Sequence, residues 1–166
     1  AEVNGKGEST RFEYDGAGNQ TRVVQAAGLP EERQNTFEYD LDNRQVAAVD
    51  GINSRTEYKV DGQGNRIETR QAVGVAGVEK TTRYEYDLEN RLVKIVSPKG
   101  AVTRYEYDVL GNKVRIVDGN GGVTLRTFDA QGRVISETTP ENVFTTLEYD
   151  KHGNLLSRTT GNRTTS

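Results

Sequence analysis

Cysteine, methionine and tryptophan are missing altogether from these 166 residues, while proline occurs three times and histidine once. Without cysteine there is no disulfide framework and no thiolate metal site. That absence suits an exported bacterial protein, although cytosolic chains also dispense with cysteine. Without methionine even at position 1, the chain is expected to be a piece of a longer polypeptide or a processed product, and its first residues show no signal peptide. No apolar run approaches the roughly 20 residues that span a bilayer as a helix, so no membrane span is expected. Neither sign of charge is in excess: 22 basic and 25 acidic side chains leave a net charge of -3, with the basic ones spread evenly among the acidic ones. The electropositive stripe that binds a phosphate backbone or an anionic membrane is therefore absent, and nucleic acid is not expected as a partner.

Apolar residues are scarce too, at 33% against 28% charged, and the 18 glycines push the composition toward that of disordered chains. Their placement argues for order. Eleven of the twelve aromatics fall at two positions of a repeat, and only Phe144 stands elsewhere. The repeated motif is an aromatic residue, Asp, two free positions, then Gly or Asn. Its copies begin at Tyr14, Tyr39, Val60, Tyr86, Tyr107, Phe128 and Tyr149, spaced by 25, 21, 26, 21, 21 and 21 residues. A period near twenty marks an architecture in which each unit is too small to bury its own apolar face and leans on its neighbours. The expected organisation is a single array over residues 1–166, with about seven units starting near 10, 35, 56, 82, 103, 124 and 145.

Residues 103–122 are the clearest copy. In Arg104-Tyr105-Glu106-Tyr107 the alternation puts both tyrosines on one strand face and the charges on the other. After the motif, Val114 and Ile116 alternate with Lys113 and Arg115, so the unit reads as a β-hairpin. The joint explains the motif. Asp at the first position of a type I turn accepts hydrogen bonds from the N–H groups ahead of it, and the fourth position takes positive φ where a bulge closes the loop. The structural set is therefore Asp15, Asp40, Asp61, Asp87, Asp108, Asp129 and Asp150, with Gly18, Asn43, Gly64, Asn90, Gly111, Gly132 and Gly153 as left-handed partners. The connections at the other end, such as Asp50-Gly51, Pro98-Lys99-Gly100 and Pro140-Glu141-Asn142, read as looser, and the longer spacings place extra residues around 26–34 and 72–80. Hairpins that cannot fold singly are expected to pair edge to edge into one antiparallel sheet of about fourteen strands, curved by its bulges, with aromatics in rows.

Candidate chemistry is thin. His152 sits in the last turn without a partner nucleophile or orienting acid, so no triad is expected. Glu13, Glu38, Glu85, Glu106 and Glu148 precede the aromatics and read as an outward row of cross-strand ion pairs rather than acid/base groups. Asp118-Gly119-Asn120-Gly121-Gly122 and Asp40-Leu41-Asp42-Asn43 have oxygen-rich spacing, but neither carries the distal Glu of an EF-hand, and both read as turns. Gly16-Ala17-Gly18 and Gly62-Gln63-Gly64 lead into strands, whereas a dinucleotide fingerprint opens a helix. No catalytic residue, cofactor or metal ion is expected.

The segments Tyr86-Asp87-Leu88-Glu89-Asn90-Arg91-Leu92 and Tyr107-Asp108-Val109-Leu110-Gly111-Asn112-Lys113 resemble the YD repeat of the Rhs family, found in bacterial polymorphic toxins, insecticidal toxin-complex subunits, wall-associated proteins and animal teneurins. The resemblance runs from residue 10 to about 160. It implies an all-β fold of tandem hairpins in a spiralling sheet that encloses a toxin or other cargo polypeptide. Val60 in place of the third aromatic and Arg126 in place of an inner aromatic depart from the pattern, and the closing core segment of many bacterial shells has no counterpart. The expected function is a non-enzymatic wall segment, secreted or at a bacterial cell surface, whose partners are the rest of the shell and its cargo. The alternative is an adhesive surface that binds glycan or protein through outward-facing tyrosines, since ring faces stack on sugars. Two open sheet edges, the second near Thr165-Ser166, also lead to an expectation of edge-to-edge self-association.

Overall fold

A computed structural model describes residues 2–5, 9–30 and 32–162, and every element in it is a strand. In chain order these are β1 (Glu2–Val3), β2 (Ser9–Tyr14), β3 (Gln20–Gln25), β4 (Arg33–Tyr39), β5 (Gln45–Val49), β6 (Arg55–Val60), β7 (Arg66–Gln71), β8 (Lys80–Tyr86), β9 (Leu92–Val96), β10 (Val102–Tyr107), β11 (Lys113–Val117), β12 (Val123–Phe128), β13 (Val134–Thr138), β14 (Val143–Tyr149) and β15 (Leu155–Asn162). They form one sheet whose strand order is the sequence order, with antiparallel pairing. The count exceeds the expected fourteen by one, because Glu2 and Val3 pair with Thr10 and Ser9. Thr165 and Ser166, on which the expectation for the second edge rested, lie outside the described residues. Among the described residues no helix is long and apolar enough to cross a membrane.

The chain divides into two compact units, Ala1–Tyr84 and Glu85–Ser166. Within each, consecutive strands are joined as hairpins at the aromatic-Asp motifs, numbered 1 to 7 here by motif. The register slips by one residue just before the aromatic, at Glu13/Tyr14, Glu38/Tyr39, Lys59/Val60, Glu106/Tyr107, Thr127/Phe128 and Glu148/Tyr149. Such a bulge accommodates the residue that a turn closed in the left-handed region adds to one strand.

The opposite connections are not looser, as their mixed composition suggests, but mostly the same turn. Asp50 and Asp118 each accept two backbone N–H bonds on Oδ1, from Ile52 and Ser54 and from Asn120 and Gly122. Ser97 accepts one on its hydroxyl from Ala101, and Thr139 keeps the main-chain pattern through Val143 and Asn142. Asn53, Gly100, Gly121 and Asn142 take the positive-φ place. The Ser97 hydroxyl stands in for the carboxylate at one of these turns, and at Thr139 the main-chain bonds with Asn142 at positive φ suffice without a side-chain acceptor. The two longer connections share a second design: Ala27 N–H donates to the Ser9 carbonyl and Val73 N–H to that of Arg55, with Ala26 and Ala72 at positive φ.

Burial corrects the expected core. Among the described residues no large side chain is fully buried, and the deepest apolar ones are Val24 (5% exposed) and Ala47 (1%). Both lie on the charged face, not the aromatic one. Ala47 stands opposite Glu38 and Glu57 in the ladder, and Val24 opposite Arg11 and Gln34. A layer with no second layer packed on it covers small residues only with long neighbours, whose stems lie along the sheet while their heads stay wet. The guanidinium of Arg55 bridges Glu38, at 2.6 and 2.9 Å, and Glu57, at 3.0 Å, and Arg70 continues the chain from Glu57 to Glu79. Hydrogen bonding to Arg55 holds the Glu38 carboxyl below its ordinary range, and the same bonds raise Arg55. Replacement of Arg55 by Gln is expected to cost about 1 kcal/mol at low salt and nearly nothing at roughly 1 M salt, because these pairs are half exposed and screened. Denaturant midpoints at the two salt concentrations check this.

Candidate functional site

The motif turns form one rim of the sheet within each unit, and all seven are built alike. In hairpin 5, Asp108 Oδ1 accepts the N–H groups of Leu110 and Asn112, both at 2.9 Å, while Oδ2 accepts the Asn112 side-chain amide at 2.9 Å. The main chain closes around it, with Asp108 N–H donating to the Asn112 carbonyl and Gly111 N–H to the Asp108 carbonyl. Gly111 adopts φ +86° and Asn90, its counterpart in hairpin 4, φ +60°. Asp15, Asp40, Asp61, Asp87, Asp129 and Asp150 bond the same way, with Gly18, Asn43, Gly64, Asn90, Gly132 and Gly153 at positive φ.

These bonds favour the ionised carboxylates. All seven Asp pKa values lie below the ordinary value of 3.8. For Asp15, Asp108 and Asp150 the main cause is the Asn side-chain amide on Oδ2, and for Asp40 it is the Arg44 backbone N–H. At Asp61, Asp87 and Asp129 partial desolvation is the largest single influence and pushes upward, but the hydrogen bonds together outweigh it.

A second pattern escaped the sequence reading although it is written there. The residue after each Gly or Asn alternates strictly: Asn19, Arg44, Asn65, Arg91, Asn112, Arg133, Asn154. Each arginine pairs with its own Asp, at 2.8 Å for Asp40, 2.7 Å for Asp87 and 2.6 Å for Asp129. Each then reaches the next hairpin, donating from Nη1 to the carbonyl of Asp61, Asp108 or Asp150 at 3.2–3.3 Å. The Arg91 and Arg133 guanidinium groups also lie over the rings of Tyr107 and Tyr149, 4.9 and 4.7 Å from the centroids. The tyrosine hydroxyls reach back the other way: Tyr39 donates to the Gln20 carbonyl, Tyr107 to Leu92 and Tyr149 to Val134. The motif aromatics are thus half-buried linkers rather than core residues, and Tyr14 is largely exposed.

The outward Glu row is present as pairs. Glu13 meets Arg22, Glu85 meets Lys94, Glu106 meets Arg115, and Glu148 accepts from the Ser157 hydroxyl, while Glu38 is bridged by Arg55 from two strands away. His152 is exposed, its Nδ1 4.0 Å from the carboxylate of Asp150 in its own turn. The carboxylates of Asp40 and Asp118, in the oxygen-rich segments, are occupied by the backbone of their own turns. In the second unit Arg126, Glu137, Thr145, Leu147 and Arg158 line an open concavity of about 390 Å³ on the aromatic face. Its Arg126 and Glu137 neutralise each other at 2.6 Å, which explains how a charge replaces an inner aromatic without stranding it.

The RHS Repeat family matches residues 86–123 and 128–165. These two segments are similar to RHS repeats and together cover somewhat under half of the chain. Each RHS segment begins on the aromatic of an arginine-bearing turn, Tyr86 or Phe128, and runs through the asparagine-bearing turn that follows, so the matched unit is two hairpins long. The unmatched residues 124–127 lie in β12. No curated protein sequence matches the chain. Among solved structures, that of TcdB2-TccC3-Cdc42 superposes on 95% of this chain with a TM-score of 0.74 and 19% identity, using 9% of its own chain. The structure of TcdB2-TccC3 covers 93% of this chain and 10% of its own at TM-score 0.58 and 19% identity. A Photorhabdus luminescens Tc holotoxin pore covers 94% and 10%, at 0.58 and 17%. At these identities the likeness is one of fold, and this chain spans about a tenth of the length of the chains it matches.

Proposed function

We propose that residues 1–166 act as one array of seven hairpins that forms part of the wall of an RHS-type shell, a non-enzymatic module that encloses or presents a toxin or other cargo polypeptide outside a bacterial cell. The observation that carries this reading is the build of the rim. Every motif Asp is consumed by its own turn and every rim Arg by its own and the next hairpin, so the most distinctive residues hold strands side by side and leave no group poised for chemistry. The concavity on the aromatic face offers a neutralised ion pair, a second arginine at Arg158, a threonine and apolar side chains, without a nucleophile and base in contact. The fold shared with TcdB2-TccC3-Cdc42 supports the same reading. The partners are then the remainder of the shell and its contents, and the mechanism is steric: a sheet too well tied to let a protease or the solvent reach what lies behind it.

Limited proteolysis of the parent polypeptide that carries this array tests the proposal. A segment outside the array is expected to resist cleavage at neutral pH and to become labile once the sheet is unfolded. Cleavage equally fast in both conditions overturns the shell role. Titration calorimetry of the array against a glycan panel is expected to give no specific heat; saturable heat from one glycan replaces the wall reading with an adhesive one.

A further inference from the structure

In the second unit three junctions between hairpins can be compared within one sheet. The ladders are equal: β9 with β10, β11 with β12 and β13 with β14 each pair over three residues. The rim links are not. Across β9/β10, Arg91 Nη1 donates to the Asp108 carbonyl at 3.3 Å, and the Tyr107 hydroxyl donates to the Leu92 carbonyl at 2.7 Å. Across β13/β14, Arg133 and Tyr149 repeat both bonds, to Asp150 at 3.2 Å and Val134 at 3.0 Å.

Across β11/β12 both are missing for a chemical reason. The residue in the arginine place is Asn112, whose side-chain amide bonds Asp108 in its own turn. The residue in the tyrosine place is Phe128, which has no hydroxyl to offer the Lys113 carbonyl, the counterpart of Leu92 and Val134. Among the described residues no side-chain hydrogen bond or ion pair joins hairpin 5 to hairpin 6 at the motif rim, and the side-chain tie of their connection, Asp118 with Asn120 and Gly122, lies at the opposite rim. The equivalent asparagine junction in the first unit, between hairpins 1 and 2, escapes this fate because Asn19 finds the Asn43 side chain at 2.8 Å and Tyr39 keeps its hydroxyl bond to Gln20. Hairpin 6 has Gly132 where hairpin 2 has Asn43, so no acceptor is there to be found.

We propose that the β11/β12 junction is a built-in compliant seam, the place where this unit opens first, dividing it into two clamped panels, β9–β11 and β12–β15. Opening there from the motif rim breaks main-chain ladder bonds only, whereas opening from that rim at either neighbour also breaks a charge-assisted bond and a tyrosine bond. Local opening free energies follow such differences, and amide exchange reports them.

Hydrogen exchange of the full chain tests this. Amides of the paired residues 115–117 and 123–125 are expected to exchange about tenfold faster than those of the equivalent pairs at 94–96 and 102–104 and at 136–138 and 144–146. The double variant Asn112→Arg with Phe128→Tyr installs both links and is expected to abolish the excess. Arg91→Asn with Tyr107→Phe removes them at β9/β10 and is expected to create a second fast junction. Equal exchange at the three junctions in the native chain, or fast exchange at β11/β12 that the double variant leaves unchanged, overturns the seam. Neither outcome bears on the shell reading.

Discussion

Acidification from about pH 6 to about pH 2 is expected to unfold the sheet in a steep transition centred below the ordinary aspartate range. The sign follows from the seven turns. Each motif Asp has its pKa lowered in the folded chain from an ordinary 3.8, so the unfolded chain binds protons that the folded chain refuses. The stability these carboxylates contribute is complete above 3.8 and is lost as pH falls through that value and on through the lowered folded values. Each group faces solvent and contributes little alone. Seven titrate in the same window, however, and each protonation weakens acceptor bonds to two backbone N–H groups and one side chain. Circular dichroism against pH checks the expectation: a spectrum unchanged to about pH 2 means the turns do not depend on ionised Asp. Asp108→Asn, which keeps an acceptor oxygen and cannot titrate, is expected to destabilise at neutral pH and to lose part of the acid dependence.

Substitution of Gly111 by Val is expected to be the most damaging single change on the rim, lowering stability by about 2 kcal/mol or more. A Cβ at Gly111 meets nothing within 4 Å, so crowding is not the cause. The cost is backbone conformation, because φ +86° is a region that a β-branched residue does not populate. Gly111→Asn separates the two explanations. Asn holds the same place at positions 43 and 90 with φ near +60°, so this larger polar side chain is expected to cost little. Equal denaturation midpoints for the valine variant and the native chain overturn the turn assignment; equal losses for both variants show that any side chain is harmful there.

Much of this molecule was legible because its information is local. The alternation of Tyr105 and Tyr107 with Arg104 and Glu106 reports a strand with two unlike faces, and Asp108 with Gly111 reports the turn that ends it. Repetition then supplies what a single hairpin signal lacks. The arginine-asparagine alternation was equally visible but silent, since nothing in a one-dimensional pattern says that Arg91 will reach Asp108, seventeen residues away, rather than solvent. The turn at Ser97, on the opposite rim, is harder to see for a related reason: a hydroxyl acceptor is a weaker sign of a turn than a carboxylate.

The chain by itself determined the strands, their ends and the sequential antiparallel order, because these follow from residue alternation and turns that act over fewer than ten residues. Only the tertiary structure decided where burial falls and which junctions are tied. Ala47 is covered because arginine and glutamate from neighbouring strands close over it, not because it lies on the aromatic face. The rim is cross-linked at Arg91 and Arg133 and unlinked at Asn112 because side-chain length and the acceptor the next hairpin offers together set whether a group reaches across, as Asn19 does to Asn43. Lengths and spacings of that kind belong to paired strands, and they exist only once the sheet has formed.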